Sequence, residues 1–101
     1  MRELEHPEAS ALRLDDVLSA LADPVRRRIV SALADGAEHA MVCSAFDLPV
    51  SASTKTHHFR VLREAGVIRQ QYVGTSIRNT LRRPDLDGRF PGLLDAVLTA
   101  H

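Results

Sequence analysis

Seven cationic side chains, Lys55, Arg60, Arg63, Arg69, Arg78, Arg82 and Arg83, fall between residues 51 and 83 against one carboxylate, Glu64. A patch of this sign neutralises phosphate. Phosphate binding depends on local charge, so the zero net charge of the whole chain does not count against it. The balancing carboxylates sit elsewhere. Residues 1–50 carry nine Asp and Glu against five Arg, and residues 84–101 carry Asp85, Asp87 and Asp95 against Arg89. The plainer reading, an ordinary solvated face, has to be weighed against this segregation.

Other chemistries find less to work with. There is no Gly-rich phosphate loop, no metal-spaced ligand set, and no nucleophile with a base and an orienting acid, so no enzyme is expected. His57 and His58 are adjacent, and adjacent helix positions point about 100° apart, so the two rings do not readily share one ion. His58 reads as a hydrogen-bonded core histidine and His57 as an outward group. The single cysteine, Cys43, precludes an internal disulfide and fits a reducing cytosol. With Val42 and Phe46 near it, Cys43 reads as a buried structural thiol. A redox-reactive thiol would lean on His39, four residues earlier. A third reading is a metal site built from His39, Cys43 and a residue of another copy. No cofactor and no resident metal are expected.

The elements that must position the basic segment follow from pattern. At 101 residues with 45% apolar content, the chain supports one domain with a small core. Residues 1–13 read as a flexible arm and residues 14–101 as the folded domain. Asp15 or Asp16 caps a first helix through about Ala22, with Val17, Leu18 and Leu21 on one side. Asp23-Pro24 opens a second helix to about Ala34, with Val25, Ile29, Val30 and Leu33 buried and Gly36 beyond its end. Arg26, Arg27 and Arg28 spread around that helix, and one of them is a candidate phosphate contact. Residues 39–46 make a short third helix, broken before Pro49.

A fourth helix begins near Ser53, its N-cap, and ends at Gly66. Thr54, His58, Val61, Leu62 and Ala65 share the inner side, Thr56, Arg60 and Arg63 the outer side, and Lys55 and His57 the flanks. Val67 to Val73 and Ser76 to Arg82 form a hairpin around Gly74-Thr75, with Arg78 and Arg82 on its outer face. Pro84 stops the second strand. The last helix carries Phe90, Leu93, Leu94, Val97 and Leu98 as a broad apolar stripe. A core this small hardly buries the stripes at both ends, so Val17, Leu18, Leu21, Phe90, Leu93, Leu94, Val97 and Leu98 are the candidate interface of a two-fold homodimer. No apolar run approaches the roughly 20 residues of a membrane span, and the opening MRELEHPEAS lacks a signal pattern. A cytoplasmic protein is expected.

The fold class that results is mainly α with a small β-hairpin: a winged helix-turn-helix of about five helices plus a two-stranded wing. Two segments, LSALADPVRRRI (residues 18–29) and STKTHHFRVLREAGVI (residues 53–68), with the Gly74 hairpin, resemble the ArsR/SmtB family of bacterial winged-helix repressors. The resemblance covers roughly residues 15–83, and the tail fits that family's dimerising C-terminal helix. It implies a homodimeric repressor that sits on a palindromic DNA operator and leaves it when an inducer binds. By position, Ser53, Lys55, Thr56, His57 and Arg60 match the family's DNA-reading surface, and Arg69, Gln71, Thr75 and Arg78 its wing. Arg63 joins them as a phosphate contact.

The chain departs from the metal-sensing members. Their Cys-x-Cys box aligns with Glu38, His39 and Ala40, or, using Cys43, leaves Met41 at the second thiolate. The ligand spacing along their last helix, counted from Asp87, lands on Leu98. Neither set binds a soft ion. The link between the third and fourth helices is also longer than the family's usual turn. The inducer is left open between an atypical metal site, redox chemistry at Cys43, a small molecule and none. The rival function is a winged-helix module that binds protein, for which DNA association would be weak and insensitive to salt.

Overall fold

Asp23-Pro24 behaves as its chemistry dictates. Asp23 Oδ1 accepts from the amides of Val25 at 2.8 Å and Arg26 at 3.2 Å, and Pro24 opens the helix where no amide is needed. Partial burial pushes the Asp23 carboxyl up. Those two amides, with the Arg26 guanidinium and His58, outweigh it and hold the group below the usual carboxylate range.

The computed structural model describes residues 4–36, 41–42 and 48–101. In chain order the elements are α1 (Leu14–Leu21), α2 (Pro24–Asp35), β1 (Met41–Val42), α3 (Ala52–Glu64), β2 (Ile68–Val73), β3 (Ser76–Leu81), α4 (Arg83–Arg89) and α5 (Leu93–Ala100), after a single 3₁₀ turn at Ala9–Ala11. The expected mainly-α winged helix-turn-helix is present.

Four details differ from the sequence expectation. Helix α1 begins at Leu14, so Asp15 and Asp16 lie in its first turn rather than capping it. Met41 and Val42 are not helical: they pair with Asn79 and Arg78, so the hairpin carries a third strand in the order β1-β3-β2. The rest of the expected 39–46 helix, with His39, Cys43 and Phe46, lies outside the described residues. Pro84 does not merely stop a strand; it sits in the first turn of α4, a helix the pattern did not predict. The apolar tail is then broken after Phe90, and Gly92 (φ +82°) begins α5.

The core joins Val17, Ala20 and Leu21 of α1, Ile29, Val30 and Leu33 of α2, and Phe59 and Leu62 of α3 to Val67, Ile68, Leu86 and Leu94. Val17, Leu21 and Leu94 are at most 4% exposed within a single chain, so they hold the monomer together and are not free to meet a partner. Leu14 and Leu18 on α1 remain 46% and 44% exposed. Phe90, Leu93, Val97 and Leu98 are half-buried.

Residues 4–12 are engaged where a loose arm was expected. Leu12 is buried, a contribution of roughly 1.5–3 kcal/mol for such a side chain. It packs so closely on Gly66 that a Cβ there would collide with Leu12 Cδ2. Gly66 (φ +83°) also closes α3. Its amide donates to Arg63 O at 3.0 Å and the Val67 amide to Leu62 O at 2.9 Å, the paired bonds of a Schellman motif, with Leu62 and Val67 both buried. Among the described residues no helix is long and apolar enough to cross a membrane.

Candidate nucleic-acid interface

Helix α3 owes its exposed face to the position of its core side. His58, Phe59 and Leu62 are buried, while Val61 is half-buried and Thr54 is exposed. The buried side is therefore turned toward Phe59 relative to the predicted stripe. Ser53, Thr56, His57 and Arg60 are left exposed, and Lys55 and Arg63 lie half-buried at the flank. The helix also starts earlier than expected. Its N-cap is Ser51, whose Oγ accepts from the Thr54 amide at 3.3 Å, and Ser53 lies within the first turn. His58 has the core role expected of it: its Nδ1 lies 3.2 Å from Arg26 Nη1, and because a guanidinium only donates, that nitrogen is the acceptor. The His57 and His58 rings are tilted apart, with centroids 5.9 Å apart.

The hairpin pairs Ile68 with Leu81 through Val73 with Ser76, around the two-residue turn Gly74-Thr75. Gly74 has a positive φ of 63° at the first central position, which suits a type II′ turn. Strand alternation then sorts the side chains. Arg69, Gln71 and Arg78 are exposed on one face, with Gln71 directly opposite Arg78. Gln70 and Asn79 are buried on the other face, where Gln70 Nε2 donates to Asn79 Oδ1 at 2.8 Å. Arg63 Nη1 of α3 donates to Gln70 Oε1, also at 2.8 Å, so helix and hairpin are joined through one amide side chain.

The expected site residues thus divide. Lys55, Thr56, Arg60 and Arg63 line a cleft of about 550 Å³ between α3 and the hairpin, with Thr75 of the turn across from them. Ser53 and His57 share the exposed side of α3 outside that cleft, and Arg69, Gln71 and Arg78 lie on the far face of the hairpin.

The cations divide too. The side chains of Arg60, Arg69 and Arg78 are exposed and make no hydrogen bond or ion pair among the described residues. Lys55 is half-buried and already engaged. Arg83 bonds Asp95 at 2.9 Å and lies 3.8 Å from Asp87. Arg82, expected on the outer face, is 5% exposed; it donates to Asp85 Oδ2 at 3.0 Å and to Pro7 O at 2.8 Å. On α2, Arg26 and Arg27 donate to the carbonyls of Ser19, Ala20 and Leu21 at the end of α1, leaving Arg28 as the exposed member of the triplet.

His6 was missed by sequence reasoning. Its Nε2 accepts from the Gln70 amide at 2.9 Å, at the base of the hairpin. Burial lowers its pKa from the usual 6.5, and Arg69, Arg82 and Arg63 lower it further. Nothing in the pattern of residues 1–13 signals a contact with a strand so distant in sequence.

A helix-turn-helix domain family matches residues 21–71, about half of the chain, from the end of α1 into β2. Comparison with curated proteins gave no match. Among solved structures, the chain is similar to an ArsR-like transcriptional regulator from Rhodococcus sp. RHA1. The two are 27% identical, with a TM-score of 0.60, over 86% of this chain and 87% of that one. The match covers more of the chain than the segment matched by the domain family. The chain belongs to the helix-turn-helix domain family and, within it, to the ArsR-like winged helix-turn-helix regulators of transcription, which are DNA-binding proteins and not enzymes.

Proposed function

We propose that the chain is a sequence-specific repressor that binds a palindromic DNA operator as a homodimer and is released by an inducer. The observation that carries this reading is the exposed polar side of α3, where Thr56, His57 and Arg60 stand opposite the buried His58, Phe59 and Leu62. A helix presented in this way fits the major groove, and Arg60 is the group suited to a two-pronged contact with guanine. Ser53, Lys55 and Arg63 hold phosphates beside it, and Thr75 does so from the turn. Arg69, Gln71 and Arg78 serve the flanking backbone from the hairpin's outer face.

Leu14 and Leu18, exposed one turn apart on α1, and the half-buried Leu93, Val97 and Leu98 of α5 support the two-fold contact. Such a contact sets two copies of α3 on successive turns of one duplex. The test is a duplex titration at two salt concentrations alongside sedimentation of the free protein. Steeply salt-dependent binding by a dimer supports the proposal. A monomer, or weak salt-insensitive binding, would overturn it and favour a protein-binding module.

A further inference from the structure

From the cleft between α3 and the hairpin we infer a binding site for a small aromatic carboxylate, which acts as a directly competing inducer. The inference rests on the DNA-binding reading of α3 and adds to it a ligand class and a mode of release.

The volume, about 550 Å³, lies within the range of small-molecule sites. Its walls are of two kinds. Ala52 and Ile77 offer apolar surface, with the edge of the buried Phe59 between the cleft and the core, and Arg60 and Arg63 offer guanidinium groups beside it. An aromatic ring takes the first and a carboxylate the second. Arg63 shows a specific deficit. Its Nη1 is satisfied by Gln70 Oε1, but its Nε is shielded from solvent with no hydrogen-bond partner. A buried N–H of this kind lacks one acceptor, and a carboxylate supplies it. Gln70 is itself fixed by Asn79, so the guanidinium that receives the anion is held in place before the ligand arrives.

The consequence for release is simple. Thr56 and Arg60, assigned above to DNA, are walls of this cleft. An occupant and a duplex compete for the same side chains, so release needs no coupling between distant sites.

The test uses 1-naphthoate, with 1-naphthalenemethanol as its uncharged counterpart, titrated into the full chain and followed by amide NMR. Naphthoate should shift amides of α3, Gln70 and residues 75–77, and bind at least tenfold more tightly than the alcohol. Arg63→Gln and Arg63→Lys should each weaken it tenfold or more; the lysine variant keeps the charge and lacks the Nε donor. Equal binding of the alcohol, or shifts centred on α1 and α5, would overturn the site. A labelled duplex is then titrated at rising naphthoate. An apparent Kd that climbs in proportion to ligand supports direct competition, and a plateau refutes it. If the duplex fails to bind even without naphthoate, the DNA reading falls, while the NMR shifts decide the cleft separately.

Discussion

Arg78 and Arg82 stand four residues apart at the end of one hairpin and have opposite fates. Arg78 is exposed on β3, and its side chain makes no hydrogen bond or ion pair among the described residues. Arg82 is buried and gathers three parts of the chain. Its backbone amide donates to Val67 O at 3.0 Å, its Nε to Asp85 at the start of α4, and its Nη1 to Pro7 O of the N-terminal segment. The difference shows that counting cations overstates a phosphate-binding patch. Of the seven between residues 51 and 83, those exposed and unengaged are Arg60, Arg69 and Arg78; the others are tied into the protein to differing degrees.

The largest expected effect belongs to Arg82. Arg82→Ala should destabilise the fold by about 2–4 kcal/mol, the range for removing one partner of a largely buried ion pair when the other keeps some access to water. Chemical denaturation measures this, and whatever folds should bind DNA as before. A loss of affinity without a loss of stability would place Arg82 with the binding cations instead. Arg60→Ala should behave in the reverse manner. Stability should stay within about 0.5 kcal/mol, and operator binding should fall by about 1–3 kcal/mol with little change on random DNA. Equal loss on both kinds of DNA would reduce Arg60 to a phosphate contact.

His6 gives a pH test of the same inner region. Its folded pKa lies below the usual 6.5, so the fold favours the neutral ring, which accepts from Gln70. Its contribution is full above that value, where the ring is neutral in folded and unfolded chains alike. It is lost as pH falls from 6.5 toward and through the folded value, because the unfolded chain takes up the proton first. Denaturation midpoints of His6→Ala should therefore differ most from those of the parent above pH 6.5 and converge in more acidic solution. A constant gap would rule out titration of His6. The smallest effect belongs to Arg78→Ala, which should weaken all DNA alike and flatten the salt slope by about one unit.

Local chemistry made much of this legible. Asp23-Pro24, the Gly66 stop and the Gly74 turn each state a backbone requirement in the residues themselves, and each is met. The exposure of Thr56 and Arg60 followed from helical period, although the true centre of the buried side lies toward Phe59. What escaped depends on partners far along the chain. Arg82 looked like a strand's outward residue until Pro7 and Asp85 claimed it. Leu12 looked like arm until Gly66, lacking a side chain, made room for it. Pro84 is equally suited to ending a strand and opening a helix, and only the packing of Leu86 in the core decides between them.

One bond network bears on how this protein would meet DNA. Gln70 clasps Arg63 of α3 on one side and Asn79 of β3 on the other, while its amide is claimed by His6. These bonds tie the hairpin to the helix through a single residue. In the proposed dimer, adjustment to operators of unequal groove width would then fall to the two copies tilting against each other, and substitutions along the seam between them, far from any base, would retune which sequences are tolerated.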